Sequence, residues 1–255
     1  MEKALVFNDV HIPWHNQRAI NLMFKIGKEL DPDVIVINGD LVDMWEISKY
    51  AKNPAFDQKA NLYQEIELGR VFLWNLREQF PKAIIIYIFG NHEYRWYLDI
   101  ATFNRAKYKL RGMSLEEQLG CDVHDIKVVF SGNKESMWQW GDCLIGHFNR
   151  VSKHSAYTAK AIMEDKSVTI IQGHVHRGGV SYKRLWDRDI VGYENFCLCD
   201  RNPPYMEKPN WQLGFSALYK DENNHVKVIQ HHIEEMRVGK KLIYKCFYNG
   251  KVYTN

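Results

Sequence analysis

Five times in this chain a short apolar run breaks off directly into a cluster of aspartates, histidines or an asparagine. Residues 4–7 lead into Asp9-Val10-His11, residues 34–37 into Gly39-Asp40-Leu41-Val42-Asp43, and residues 83–89 into Gly90-Asn91-His92-Glu93. Later, residues 143–145 lead into Gly146-His147 and residues 168–172 into Gly173-His174-Val175-His176. The second run, Val34-Ile35-Val36-Ile37, is β-branched throughout and reads as a strand buried on both faces. Helical patterns over residues 17–30 and about 58–79 separate the first three runs and stop at Pro32 and Pro81, since proline cannot continue a helix. Strand and helix in alternation require βαβ crossovers and a partly parallel sheet. The carboxyl ends of parallel strands line one edge, where ligands bind. The clusters are therefore expected to converge on one place.

The second half reads differently. Strands are expected at 127–130, 137–140 and 143–145, with Gly141-Asp142 as a tight turn, then a helix near 155–164. Beyond residue 178 the chain is mainly β, with runs at 180–185, 212–219 and 225–232 and a hairpin about Asn249-Gly250. No repeat, low-complexity tract or linker divides it, so one domain over 1–255 is expected, with inserts near 41–57 and 94–120.

Composition sets few limits. A net charge of +3 is too small to identify a partner, because attraction to nucleic acid depends on where basic residues cluster. No apolar run approaches the roughly 18–20 residues a membrane span needs, and the N-terminus lacks the pattern of a signal peptide. Five cysteines without a regular framework read as reduced thiols. The expected location is cytoplasmic, without membrane association. Cys197-x-Cys199 reads as buried thiols in a strand rather than as a metal site.

Histidine nitrogens with carboxylate and amide oxygens suit first-row divalent ions such as manganese, iron or zinc. Asp9/His11 and His174/His176 are alternate positions that reach one centre where the chain curls. Two metals about 3.5–4 Å apart clamp the attacking and leaving oxygens of an in-line displacement.

With these residues in this order, the sequence resembles the calcineurin-like metallophosphoesterases, whose pattern is Asp-x-His, Gly-Asp-x-x-Asp, Gly-Asn-His-Asp/Glu, Gly-His and Gly-His-x-His. The likeness spans roughly residues 4–176. It implies an α/β fold, a four-layer α-β-β-α sandwich of two mixed sheets, with the metal site at strand carboxyl ends. The mainly β tail would complete the second sheet. The resemblance also implies two divalent ions, Mn2+ foremost with Fe, Zn or Ni as alternatives. Asp9, His11 and His176 would hold one ion, Asn91, His147 and His174 the other, with Asp40 bridging. A bridging hydroxide would attack phosphorus in line. His92 would stabilise the phosphoryl oxygens and protonate the leaving group, while Asp43 would orient His92 and keep it charged.

The substrate is a phosphate ester whose class rests on the inserts. Asp43 is followed by Met44-Trp45 where protein phosphatases of the family carry Arg-Gly, which argues against that branch. Tyr94-Arg95-Trp96-Tyr97 and then Phe103, Arg105, Lys107, Tyr108, Lys109 and Arg111 suit phosphate contacts with base stacking, or else an amphipathic helix with a solvated basic face. Arg95, Arg177, Trp45 and His15 are the candidate substrate contacts, while Tyr50 and Phe56 would form a pocket wall or loop core. Asn195 to Asp200, with Pro203 to Met206 and Asn210-Trp211-Gln212, resembles the tail of bacteriophage metallophosphoesterases. The expected activity is a phosphodiesterase or nuclease acting on DNA or a nucleotide. The alternatives are a phosphomonoesterase and, behind it, a non-catalytic scaffold that keeps the fold.

Overall fold

The computed structural model describes residues 1–49, 61–108, 110–202 and 209–255. Tyr50, Phe56, Lys109, Pro203 to Met206 and the expected start of the second helix lie outside them. The first half alternates as anticipated: β1 (Glu2–Phe7), α1 (Gln17–Leu30), β2 (Val34–Asn38), α2 (Leu62–Gln79), β3 (Ile84–Ile88) and α3 (Asn91–Phe103). A short α4 (Leu115–Gln118) and β4 (Ile126–Val129) follow. Asn16 caps α1 by accepting from the Ala19 N–H, and Asn61 with Gln64 forms a capping box on α2.

Next come β5 (Met137–Trp140), β6 (Cys143–Gly146), α5 (Tyr157–Lys166), β7 (Thr169–Gln172), β8 (Gly178–Arg184) and β9 (Asp189–Asn195). The chain ends with β10 (Leu213–Lys220), β11 (Val226–Val238), β12 (Lys241–Tyr248) and β13 (Lys251–Thr254). The first sheet has the order β13-β12-β11-β10-β1-β2-β3-β4 and the second β5-β6-β7-β9-β8. Both are mixed. Strands β1 to β4 run parallel, while β10 joins β1 antiparallel, Val6 opposite Ser216. In the second sheet β6, β7 and β9 are parallel, with β5 and β8 antiparallel at its edges.

Side-chain alternation builds the layers. Leu5, Phe7, Ile35, Ile37, Ile85 and Tyr87 share a core with Leu22, Met23 and Ile26 of α1 and Leu73 and Leu76 of α2. Their neighbours Ala4, Val6, Val34, Val36, Ile86 and Ile88 face Trp140, Cys143, Ile145, Ile171 and Tyr193 of the second sheet. A third core joins Ala159, Ile162 and Met163 of α5 to Ile170 and Ile190. The order is helices, sheet, sheet, helix, the four-layer sandwich the sequence implied. Each fully buried Leu or Ile contributes roughly 1.5–3 kcal/mol. A one-residue slip of β2 would swap its two cores, so register is strongly set.

Two expectations change. Strands β8 and β9 complete the second sheet, but β10 to β13 extend the first, because β10 pairs along the side of β1 that β2 leaves open. Strand β9 has no counterpart among the anticipated runs. All five cysteines are free and buried, and among the described residues no helix is long and apolar enough to cross a membrane.

Candidate metal centre

The strand ends do converge. Past β1 and β2 the backbone enters the left-handed region at Asp9 (φ 51°), His11 (φ 50°), Gly39 (φ 87°) and Asp40 (φ 52°), and past β7 at His174 (φ 72°) and His176 (φ 57°). These turns curl each motif back over the sheet edge. Gly39 has a second reason to lack a side chain, since a Cβ there would run into the His147 ring.

Asp9, His11 and His176 form one group with mutually close ligand atoms, and Asp40, His147 and His174 another. His176 Nε2 lies 3.0 Å from Asp9 Oδ1 and 3.1 Å from His11 Nε2. Asp40 Oδ2 lies between the groups, 3.0 Å from His147 Nε2 and 3.8 Å from His11 Nε2. Asn91, the first residue of α3, follows Gly90, which abuts Asp40 and His147. Each carboxylate divides its work. Asp9 Oδ2 accepts from the His174 N–H and the Asn8 amide, and Asp40 Oδ1 accepts from the His92 N–H. Asn91 Oδ1 and His174 Nδ1 are buried without a hydrogen-bond partner, while Asp9 Oδ1 and His147 Nε2 meet other members of the two groups. Orphaned buried acceptors are costly and rare, and these converge as a cation's ligands would. The donor set therefore fits two divalent ions of the intermediate kind.

The imidazoles are oriented from behind. His11 Nδ1 faces Asp43 Oδ1 at 2.9 Å and His147 Nδ1 faces the Asn38 carbonyl at 2.9 Å. Asp43 Oδ1 also lies 3.1 Å from His92 Nδ1, which approaches the Asp43 carbonyl oxygen at 2.7 Å. Arg95 donates to that same carbonyl at 2.8 Å and to His92 Nε2 at 2.9 Å. Since Arg95 can only donate, this network puts the His92 proton on Nδ1 and leaves Nε2 as acceptor. Asp43 thus meets His92 at Nδ1 and Arg95 meets it at Nε2.

Electrostatics follow the same division. Burial disfavours the charged His147 ring, yet Asp40 and Asp9 outweigh it and push its pKa up to about 9. Burial likewise opposes charge on His11, but hydrogen bonds to Asp43 and Asp9 hold its pKa well above the usual value. Burial, with His147 nearby, drives His174 down to about 3.

The substrate-side candidates separate. Arg95 lines an open groove of about 800 Å³ that starts at Asn91 and runs past Tyr94, Leu98 and Lys134 to Phe103. Trp45 is half-buried beside it, its N–H 3.4 Å from Glu65 Oε1. Arg177 turns away: its guanidinium is buried and donates to the Ser152 and Lys153 carbonyls, with Glu194 3.7 Å off. His15 also points elsewhere, meeting Gln17 at 3.1 Å in a groove between α1 and α2. Among the described residues of the 94–111 stretch, Arg95 lies on α3 with the aromatics and the next basic residues lie beyond it. Arg105 and Lys107 fall in a 3-10 turn beyond α3, while Tyr94, Trp96 and Tyr97 pack on the core.

Two acids were not singled out from sequence for the work they do. Buried Glu93 accepts from the N–H groups of Asp40 (3.0 Å), Leu41 (2.8 Å) and Gly90 (2.8 Å) and from Tyr87 OH (2.7 Å), clamping two motif loops together. Glu65 of α2 accepts from the Met44 N–H at 2.6 Å and holds the chain just after Asp43. The only local signal was an acid at the third position of α3, the place of a capping-box partner.

A family model described as calcineurin-like phosphoesterase matches residues 3–235. The Gene 54 protein of Mycobacterium phage D29 is 26% identical over 241 residues, covering 89% of this chain and 91% of that protein. The Gene 54 protein of Mycobacterium phage L5 is 25% identical over the same length and coverage. Among solved structures, Vps29 from Entamoeba histolytica superposes with a TM-score of 0.42 at 10% identity, over 99% of this chain and 97% of its own. Vacuolar Protein Sorting 29 from Cryptosporidium parvum gives 0.41 at 11% identity, over 100% and 95%.

Proposed function

The chain belongs to the calcineurin-like phosphoesterase family, and from that premise we propose that it is a two-metal phosphodiesterase acting on a nucleotide or nucleic acid. The observation that carries the reading is the pair of neighbouring buried ligand groups, with Asp40 Oδ2 between them and Asn91 Oδ1 and His174 Nδ1 left unpartnered. Asp9, His11 and His176 would hold one cation and Asn91, His147 and His174 the other, with Asp40 Oδ2 common to both. Mn2+ is the ion we propose, as the family resemblance implies, and it lies within the range this nitrogen–oxygen set accepts. The two cations supply a water-derived nucleophile at neutral pH and Lewis-acid stabilisation of the phosphoryl oxygens.

The chain's own residues do the rest. Arg95 lies where a phosphoryl oxygen can take its guanidinium from His92, and a bidentate fork suits that exchange. His92 Nε2, released from Arg95, is then free to take up a proton from solvent and pass it to the leaving oxygen, while Asp43 keeps the ring in register. The groove beyond Arg95 supports a diester over a monoester. A monoester needs room for one substituent, whereas Tyr94, Leu98, Phe103 and the cation of Lys134 offer an amphipathic surface to a second.

The test compares bis-p-nitrophenyl phosphate with p-nitrophenyl phosphate in the presence of Mn2+, followed by single- and double-stranded DNA. Preference for the diester is expected. Preference for the monoester would sink the diesterase reading, and inactivity on both across several metals would favour a scaffold.

A further inference from the structure

Three imidazoles turn Nε2 toward the candidate cation positions, and their Nδ1 atoms meet different acceptors. His11 faces the Asp43 carboxylate and His147 a backbone carbonyl, each at 2.9 Å. His176 Nδ1 instead meets the Cys199 sulfur at 3.8 Å. If Nε2 presents its lone pair to a cation, the neutral ring carries its proton on Nδ1, so sulfur is the acceptor here. A thiol accepts weakly, and a ligand histidine takes both its orientation and its basicity from the group behind it.

The contact is built into the fold. Residues 196–200 form a strap laid between the loops that carry Asp9 and His176. The Leu198 N–H donates to the Asp9 carbonyl at 3.1 Å, the Asp200 N–H to Trp14 at 2.6 Å and the Phe196 N–H to Arg177 at 2.9 Å. The Gln212 N–H closes back on the His176 carbonyl at 2.9 Å, and the Trp211 ring stands edge-on to His176 with centroids 4.2 Å apart. The backbone therefore fixes Cys199 relative to the ring.

His176, Cys197 and Cys199 also lie close enough to make a third metal group. The thiols argue against that. Cys197 donates to the Gln212 carbonyl at 3.4 Å. Cys199 Sγ in turn is directed at His176 Nδ1 at 3.8 Å, the nitrogen turned away from the candidate cation.

We infer that Cys199 is a positioning residue for His176, and that its sulfur makes the His176-bearing cation position the weaker of the two. This rests on the two-cation reading above. The strap was noted in the sequence only as a phage-like tail; its place behind His176 gives it a role in metal retention.

The experiment titrates Mn2+ into the metal-stripped full-length protein and into Cys199→Ala, Cys199→Ser and Cys197→Ala, following both equivalents by calorimetry. The wild type is expected to bind two equivalents of unequal affinity. Cys199→Ala removes the acceptor, and Cys199→Ser withdraws it on a shorter bond. Each is expected to weaken the looser equivalent by about 10-fold or more and to leave the tighter one alone. Cys197→Ala, which removes a buried thiol hydrogen-bonded to the Gln212 carbonyl rather than to the His176 ring, is expected to change neither. In Co2+-loaded protein the paramagnetically shifted, exchangeable N–H signal of His176 should move in the Cys199 variants only. Unchanged affinities, or equal weakening of both equivalents, or the same effect from Cys197→Ala, would overturn the inference while leaving the two-cation reading intact. A wild type that binds fewer than two ions would overturn both.

Discussion

Asp40 offers Oδ1 to the His92 N–H and turns Oδ2 toward His11, His92 and His147, so one side chain faces both ligand groups and the acid candidate. The His92 ring makes its hydrogen bonds to Asp43 and Arg95 and belongs to neither proposed ligand group. The two residues should therefore fail differently. His92→Ala is expected to lower turnover by roughly 10²–10⁴-fold with metal content unchanged, whereas Asp40→Ala should lose bound metal as well. Metal analysis beside steady-state kinetics decides it, and full activity in either variant would overturn the assignment. Protonation gives a second handle at this scale. Near pH 7 in metal-free solution His11 and His147 are held protonated by the surrounding carboxylates, while burial keeps His174 neutral. Ligation requires neutral imidazole, so metal uptake should expel about two protons, one each from His11 and His147. Affinity should accordingly rise with pH toward about 9. Calorimetry in buffers of different ionisation enthalpy measures the release, and a value near zero would contradict it.

Among the elements, what sequence could and could not show divides cleanly by range. Helix α1 was legible to the residue because its apolar period and Pro32 are local signals. The ligand motifs were legible because each directly follows an apolar strand. Strand β9 was not: Gly192 interrupts it where a Cβ would strike the Ala159 backbone, and its buried Glu194 meets the Thr158 N–H and the Arg177 guanidinium from other elements. Strands β10 to β13 went to the first sheet through a pairing with β1 more than two hundred residues away, which no window reveals. Glu93, Glu65 and Cys199 stayed hidden for the same reason, since their partners sit on other elements. Glu93→Gln puts N–H groups against backbone N–H donors that now share a carboxylate oxygen, and should cost about 3 kcal/mol in urea unfolding. A loss under about 1 kcal/mol would mean the clamp is dispensable. Glu65 predicts a pH effect. Burial first, and the Asp43 charge second, raise its pKa from 4.5 to about 8. Between those values the folded chain keeps a proton that the unfolded chain has released, so stability falls as pH rises through the window. In chelator, the melting temperature of Glu65→Gln should gain on the wild type from about pH 5 to 8; parallel profiles would refute the cause.

For the molecule as a whole, the sandwich places each candidate cation across the seam between its sheets. The first sheet supplies Asp9, His11, Asp40 and Asn91 from the ends of β1, β2 and β3, and the second supplies His147, His174 and His176 from β6 and β7. Either cation would thus tie both sheets, and the unfolded chain offers no comparable arrangement. Ligand binding to the folded state alone stabilises it by about 2.7 kcal/mol when the free ion stands at 100 times its Kd. In a chain of this size each kcal/mol moves the melting temperature by roughly 2–4 °C, so saturating Mn2+ should raise it by roughly 5–10 °C per occupied position. Chelation should reverse the shift. If Cys199 sets the weaker position, the rise should come in two steps as Mn2+ increases, and Cys199→Ala should push only the later step to higher concentration. Thermal melts across a Mn2+ series read both at once. A melting temperature indifferent to metal would show that the sheets are joined by the apolar core between them alone, the contacts of Val6, Val36 and Ile88 with Ile145 and Ile171.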